Sequence, residues 1–273
     1  MFKADYHVHS SYSFDGNPKA TIEAILKTAA NRELDEVAVC DHYDVNQVIA
    51  GNNPDINFCE SKKQIGDAEK TNKTHTKILL GIELGQPNQC PDKAAEVLAG
   101  CDFDFILCAL HNARGEDDFY YIDYKNADIR NLIRIYEKYT EELCELACWG
   151  KFHALAHATY PLRYFMLNDI YISVRRYTDL YIKLFKILIH RGIALEVNTS
   201  GLRKKINQPS PSYKLLKLYK ELGGELITVG SDAHKTQDIF TGIKKIYGRL
   251  SEIGFKYITT VKDKKLTQVK IDG

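Results

Sequence analysis

The sequence predicts an α/β fold in which helices cover a parallel β-sheet. About seven short β-type runs alternate with helical stretches along the 273 residues. No linker, repeat or low-complexity segment divides the chain, so we expect one domain over residues 1–273. The length suits a single α/β barrel of roughly 250 residues. The alternation alone does not separate a closed barrel from an open doubly wound sheet.

The first half of the chain supplies four of these strands. After the first strand, Asn17 as an N-cap and Pro18 at the first helical position predict a helix in NPKATIEAILKTAANR. A polar segment with helical potential precedes the third strand, and PDKAAEVLAG predicts a short helix before the fourth. The four strands are expected at residues 3–8, 35–41, 77–85 and 102–111.

The second half continues the alternation. Apolar residues at helical spacing, including Leu132 and Ile135, predict a long helix over residues 128–149. YTDLYIKLFKILIHRG predicts a helix that ends at Gly192, SYKLLKLYKELGG predicts another with a glycine end, and a final helix is expected near residues 236–247. FKYITTV and a short tail, LTQVKI, follow it. The remaining strands are expected at residues 151–158, 193–199 and 225–232.

Composition excludes several classes of function. The formal net charge is +1, and no basic stripe or acidic tail is present, which argues against a nucleic-acid partner. No run of about 20 apolar residues occurs, so we expect no membrane partner, and the N-terminus lacks an apolar signal region. An odd number of cysteines, seven, indicates reduced thiols and a cytoplasmic location. The oligomeric state stays open.

Polar or ionisable residues fall at the carboxyl end of every predicted strand, and in a parallel barrel these ends meet at one face. His7 and His9, at positions i and i+2, point to one side of the first strand and can bind the same ion. Imidazoles and carboxylates suit Zn²⁺, Mn²⁺ or Fe ions. Their number exceeds what one metal requires, so we expect two or three divalent ions with Glu83 as a bridge. The residues at the strand ends are His7, His9, Asp41, His42, Glu83, His111, His157, Glu196, Asn198, Asp232 and His234.

A purely structural role is the alternative for every histidine and every buried carboxylate in the chain. It suits His75 in a polar stretch, His153 near a strand start, and His190 at a helix C-terminus. It does not suit two histidines on one strand face, or Glu83 among apolar neighbours, because burying them without partners is costly.

The motifs DYHVHSSYSFDG, VCDHY, GIELGQ, LHNARGEDDFYYIDY, LAHATYPLRY, LEVNTSGLRK and VGSDAH resemble those of the polymerase-and-histidinol-phosphatase (PHP) superfamily, in particular its histidinol-phosphate phosphatase branch. The resemblance covers nearly the whole chain. It implies a distorted, TIM-like (β/α)₇ barrel with a trinuclear metal site at the carboxyl ends of the strands. Many members have histidine where Asp15 stands, and an aspartate would shift the third site toward Mn²⁺ or Fe. The implied ligands are His7, His9, Glu83 and Asp232 for one metal, Glu83, His111 and His157 for a second, and Asp15, His42 and His234 for a third.

The resemblance further implies hydrolysis of a small phosphate ester, L-histidinol phosphate, by a hydroxide that bridges two metals. Asp232 or His234 would protonate the leaving group beside Glu83 and the metals. Arg163 and Arg203, which closely follow strands five and six, are expected to bind the substrate phosphate.

Several loop residues and functions stay open. Asp41 is expected to orient a histidine. Lys204 and Lys205 are expected either to meet the phosphate or to be solvated, and Glu116 and Asp117 either to attract the substrate's amino group or to be solvated. Alternative functions are a nucleotide phosphatase or exonuclease of the same superfamily, and a non-catalytic metal-binding regulatory module.

Overall fold

Seven parallel strands, paired in chain order, form the central sheet of the computed structural model, which describes residues 1–271. A parallel bridge between Val8 and Ala233 joins the first strand to the end of the seventh, and Asp232 N donates to His7 O at 2.8 Å. The sheet is therefore a nearly closed barrel, which confirms the α/β prediction and decides against the open sheet. The strands are β1 (Ala4–Val8), β2 (Glu36–Asp44), β3 (Lys77–Gly85), β4 (Phe105–Ala109), β5 (Ala154–Leu155), β6 (Ala194–Asn198) and β7 (Ile227–Gly230).

Helices cover the outside of the barrel, and their apolar faces bury the outward side chains of the strands. None of the helices in the described residues is long and apolar enough to cross a membrane. The predicted domain includes residues 272 and 273, which lie outside the described part, and its extent stays a prediction. The α-helices are α1 (Ile22–Asn31), α2 (Val45–Ile49), α3 (Phe58–Thr71), α4 (Pro91–Gly100), α5 (Ile129–Trp149), α6 (Tyr160–Leu167), α7 (Thr178–Arg191), α8 (Tyr213–Glu221) and α9 (Ile243–Ile253).

A second core fills the amino-terminal half of the barrel interior with side chains such as Tyr6, Leu79 and Phe105. An antiparallel hairpin, β8 (Tyr257–Lys262) and β9 (Lys265–Lys270), packs against it. Val261 belongs to this core, and its N–H donates to the Tyr6 hydroxyl at 2.9 Å. The tail LTQVKI is therefore a strand that helps to close this end of the barrel.

Two of the predicted element boundaries are wrong because a backbone N–H there donates to a residue far along the chain. Helix α1 begins at Ile22 and is capped by Thr21, because Asn17 lies in a turn and donates its N–H to His234 O at 3.1 Å. Strand five is only two residues long, because the N–H of His157 donates to the Glu196 carboxylate at 2.8 Å instead of to a neighbouring strand.

The last predicted helix is displaced along the sequence. Residues 236–238 form a single 3₁₀ turn, and α9 runs from Ile243 to Ile253. Gly242, with a φ of 85°, is the N-cap of α9, a left-handed conformation that glycine adopts without strain.

Candidate metal centre

The inward faces of the strands change from apolar to polar near their carboxyl ends. Along β3, Leu79 and Glu83 point to the same side because side chains alternate with a period of two. Leu79 belongs to the interior core, whereas Glu83 lies two further inward positions along, in the polar layer. Along β2 the same change occurs between Ala38 and His42. The sequence thus builds an apolar layer and a polar layer on the same strands.

Glu83 lies at the centre of this polar layer and is fully buried. Its Oε2 lies 2.9 Å from His42 Nδ1, 3.2 Å from His7 Nε2 and 3.5 Å from His9 Nε2. Its Oε1 lies 2.7 Å from His157 Nε2 and 3.3 Å from His111 Nε2. Five imidazoles therefore converge on one carboxylate, two from strands β1 and β2 and three from the segments that follow β1, β4 and β5.

Asp232 and Asp15 extend the cluster beyond Glu83. Asp232 Oδ1 lies 3.6 Å from His9 Nε2 and 3.5 Å from His234 Nδ1. Asp15 Oδ2 lies 2.8 Å from His234 Nε2 and 3.6 Å from His42 Nε2, so the polar turn after β1 contributes a carboxylate to the cluster.

All nine side chains in the expected ligand set lie in this cluster. Within each of four groups, the potential ligand atoms lie within 4.8 Å of one another. One group contains Asp15, His42 and His234 together with His9, and another contains His7, His9 and Asp232. Glu83 belongs to both of the remaining groups, one with His7 and His157 and the other with His42 and His111. The assignment of each ligand to a particular ion stays a prediction.

Two further carboxylates orient histidines of the cluster. Asp44 Oδ1 lies 2.7 Å from His111 Nδ1, and Glu196 Oε1 lies 2.6 Å from His7 Nδ1. Such contacts fix the ring so that the other nitrogen faces the site. The sequence argument missed Asp44. The available signal was its position two residues after His42, on the same strand face.

Asp41 was expected to orient a histidine, and this prediction is wrong. Its carboxylate accepts hydrogen bonds from Ser10 N at 2.6 Å and Ser10 Oγ at 2.7 Å. Asp41 therefore holds the loop that follows His9. Asp5 has a comparable role at the barrel seam, where it accepts from Ser231 N at 2.8 Å and Ser231 Oγ at 2.5 Å.

The neighbouring imidazoles favour the charged form of Glu83 and disfavour the charged form of His9. Burial opposes ionisation of Glu83, but the neighbouring His42, His7 and His111 hold the pKa of its carboxyl well below the usual range. Burial, together with His234 and His42, lowers the pKa of His9 to about 3. His9 is therefore neutral at neutral pH, which is the form of imidazole that binds a metal.

The cluster fits bound metal ions because its own atoms do not satisfy one another. Several buried atoms that face Glu83, or belong to it, form no hydrogen bond of acceptable geometry with any described residue. Leaving a buried polar atom unpaired costs about 1–3 kcal/mol. Cations at the centre would satisfy all of these atoms at once. The atoms are His7 Nε2, His9 Nε2, His42 Nδ1, Glu83 Oε2 and His111 Nε2.

The two arginines expected to bind phosphate have different surroundings. Arg163 Nη2 donates to Asp232 Oδ2 at 3.0 Å and Ser200 Oγ at 2.7 Å, at the edge of the cluster. Arg203 donates from Nη1 to Ser231 O at 2.7 Å and from Nη2 to Asp232 O at 3.1 Å. Arg203 thus holds the backbone that presents Asp232.

Comparison with known proteins identifies relatives of this chain. The model of the PHP domain family matches residues 5–200. The chain is 30% identical over 269 residues to a probable histidinol-phosphatase of Thermotoga maritima, covering 98% of this chain and 99% of the relative. It is 25% identical to the histidinol-phosphatase of Lactococcus lactis, covering 99% and 98%.

A solved structure shares the fold. The crystal structure of the Lactococcus lactis histidinol phosphate phosphatase complexed with zinc, L-histidinol and phosphate superposes with a TM-score of 0.83 at 21% identity, covering 97% of this chain and 98% of that one. The family model covers more than half of this chain, and the full-length relatives cover nearly all of it. This chain belongs to the PHP domain family.

Proposed function

We propose that this chain is a metal-dependent phosphatase that hydrolyses L-histidinol phosphate to L-histidinol and inorganic phosphate. The observation that carries the proposal is the convergence of five imidazoles on the buried Glu83 carboxylate. It is supported by full-length relatives that are named histidinol-phosphatases. A cytoplasmic location is part of the proposal, supported by seven free cysteines.

The cluster would hold two or three divalent ions, with Zn²⁺, Mn²⁺ and Fe as the candidates. When bound, such ions lower the pKa of water and neutralise the phosphate oxygens. The protein's part is to fix the ligands, and the Asp44–His111 and Glu196–His7 contacts do so. The predicted ligands are His7, His9, Asp15, His42, Glu83, His111, His157, Asp232 and His234.

Arg163 is the side chain best placed to bind the substrate phosphate. It lies at the edge of the cluster against Asp232, and its Nε and Nη1 donate to no acceptor in the described part of the chain. A guanidinium with free nitrogens beside a metal cluster suits a phosphate oxygen. Arg203, which is committed to two backbone carbonyls, supports the site by holding Asp232 in place.

Proton delivery to the leaving alkoxide is assigned to the His234 side of the cluster. Asp232 is 6% exposed, and Arg163 and Asn198 both donate to its Oδ2. The His234 side chain is 29% exposed, so solvent reaches it. Of the two candidate acids, His234 is therefore the better placed.

Recognition of the substrate's amino group is assigned to Asp118. Its Oδ1 accepts from Tyr120 N at 2.8 Å and from the Tyr160 hydroxyl at 3.2 Å, while its Oδ2 has no donor among residues 1–271. Tyr160 packs on His111, with ring centroids 4.9 Å apart, and so links Asp118 to the cluster. Glu116 is instead paired with Arg134 at 3.1 Å and with Lys138.

The proposal is tested by assaying the protein, loaded in turn with Zn²⁺, Mn²⁺ or Fe²⁺, against L-histidinol phosphate, nucleoside monophosphates and short oligonucleotides. We expect turnover of L-histidinol phosphate that disappears when a chelator removes the metal. In His9→Ala, bound metal and activity should fall together. The control is His190→Ala, a histidine on α7, which should change neither. A preference for nucleotides, or no turnover with any metal, would contradict the proposal.

A further inference from the structure

A cavity that contains none of the predicted metal ligands, called the second cavity, lies beside the metal cluster. It has a volume of about 720 Å³ and lies between the α6–α7 region and the start of α8. None of the nine predicted metal ligands is among the described residues that line it. The volume is within the roughly 300–1,000 Å³ that is usual for small-molecule sites.

The lining of this cavity is mostly apolar, and its charged side chains are all positive in the described part of the chain. Aliphatic side chains such as Leu162, Ile172 and Leu218 form much of its wall. Its charged lining residues in the described chain are all cations, namely Arg163, Arg175 and Lys214, and it has no acidic one. Arg175 and Lys214 are exposed, and neither forms an ion pair with any residue between 1 and 271. Their charges are therefore uncompensated by the protein.

The inner wall carries a cation that already has a partner. The side chain of Arg163 is 10% exposed, and its Nη2 lies 3.0 Å from Asp232 Oδ2, so its charge is compensated within the protein. Helix α8 begins at the same cavity, where Tyr213, Lys214 and Leu215 line it, and its N-cap Ser212 forms no side-chain capping bond. The N-terminus of a helix favours negative charge, so it adds to the positive potential of Arg175 and Lys214.

We propose that this cavity binds a small organic anion with an apolar body, such as an aliphatic or aromatic carboxylate or sulfonate, at a site separate from that of the substrate. The apolar walls would take up the body of the ligand. Arg175 and Lys214 at the rim would meet its charge, whereas Arg163, which is paired with Asp232, belongs to the proposed substrate site. A neutral ligand of the same shape leaves these cations unpaired, and a cationic ligand is repelled.

The probe for this site is 8-anilino-1-naphthalenesulfonate, titrated against the metal-loaded enzyme and followed by its fluorescence. We expect one molecule to bind per chain, and its uncharged analogue N-phenyl-1-naphthylamine to bind at least about tenfold more weakly. The double variant Arg175→Glu, Lys214→Glu should raise the dissociation constant of the anionic probe by at least about tenfold. The matched control is Lys244→Glu, Lys245→Glu on the exposed face of α9, with the same change in charge, and it should stay within about twofold.

Four results would overturn the inference. One is equal binding of the two probes, and another is an equal effect of both double variants. The third is displacement of the anionic probe by L-histidinol and inorganic phosphate together, which would make the cavity part of the substrate site. The fourth is a dimer, seen by sedimentation, that dissociates in Arg175→Glu, Lys214→Glu, because the cavity would then be covered by a second copy. Melting temperatures of both double variants establish that they remain folded.

Discussion

The two ends of the barrel interior are built on the same strands but have opposite physical properties. At the amino-terminal end, Tyr6, Leu79 and Phe105 form a closed apolar core under the β8–β9 hairpin. At the carboxyl end, Glu83 and most of its histidines are also buried, yet several of their atoms have no hydrogen-bond partner among residues 1–271. Burial stabilises the first end by roughly 25 cal/mol per Å² of apolar surface, whereas at the second it costs free energy until cations bind. Stability and function are thus separated along the barrel axis.

Glu83→Gln should have the largest effect of all, the loss of the metal centre at the carboxyl end of the barrel. The change removes the one charge that five imidazoles share, so we expect a loss of activity of at least about 10³-fold, with loss of bound metal. Kinetics and metal analysis measure both effects. The control is Glu36→Gln, a carboxylate near the amino-terminal end that contacts the Tyr6 hydroxyl, and its activity should stay within about threefold. Equal losses in both variants would refute the separation.

Phe105→Ala should destabilise the apolar core at the amino-terminal end of the barrel. Phe105 is fully buried, with its ring centroid 5.1 Å from that of Tyr6, so its removal leaves a cavity in the apolar layer. We expect the free energy of unfolding to fall by about 3 kcal/mol, while bound metal per folded chain is unchanged. Chemical denaturation with metal analysis measures this. Tyr257→Ala, at a side chain that is 41% exposed, should cost less than about 1 kcal/mol. Metal loss in Phe105→Ala without unfolding would contradict the prediction.

Asp118→Asn should affect substrate recognition at the carboxyl end and leave the metal ligands in place. We expect the KM for L-histidinol phosphate to rise about tenfold, since a charged hydrogen bond is worth roughly 1.5–3 kcal/mol, with kcat little changed. The KM for the analogue that lacks the amino group should not change. Asp117→Asn, at an exposed neighbour, is the matched control. A similar rise in KM for both substrates would remove Asp118 from amine recognition.

The smallest expected effect concerns His153 at the amino-terminal end. Its Nδ1 accepts from Ile106 N at 2.9 Å, and its Nε2 lies 3.1 Å from Lys264 O on the hairpin. Burial lowers the pKa of His153 below its usual value, while the Lys264 carbonyl opposes the shift. Below about pH 6.5 the unfolded chain therefore binds a proton that the folded chain does not, so stability falls as the pH drops through this range.

His153→Gln should remove part of this pH dependence. Between pH 7.5 and 5.5 we expect the variant to lose less unfolding free energy than the wild type, by under about 1 kcal/mol, because one titrating group contributes at most about 1.4 kcal/mol per pH unit. Urea denaturation at the two pH values measures the difference. His190→Ala, outside this end, should keep the wild-type dependence. Identical pH dependence in His153→Gln and the wild type would contradict the prediction.

The order of the elements and the end of each strand that carries polar residues were predictable, because both follow from periodicity that is local in sequence. Predictions of boundaries went wrong where distant residues compete for a backbone group. The N–H of His157 takes Glu196 as its acceptor, and the N–H of Asn17 takes His234 O. No window of sequence around either position contains its partner.

Side-chain pairings show the same limit. The proximity of His7 and His9 was readable from their spacing, and a central role for Glu83 from its apolar neighbours. Three other pairings depend on segments that meet across the barrel face. Asp44 orients His111, Asp41 binds Ser10, and Arg203 binds the carbonyl of Asp232. The same holds for the second cavity, whose cations Arg163 and Lys214 lie far apart in the chain.

Local periodicity is enough to set the alternation of strands and helices. It also sets which side chains face the barrel interior, apolar at the amino-terminal end and polar at the carboxyl end, because a period of two assigns each strand residue to a face. Three features follow from tertiary contacts alone: the closure of the sheet between β1 and β7, the pairing of each orienting carboxylate with its histidine, and the loop charges that face the cluster. These outcomes depend on contacts between residues far apart in the chain, and their energies are set by burial and distance, which the order of residues does not contain.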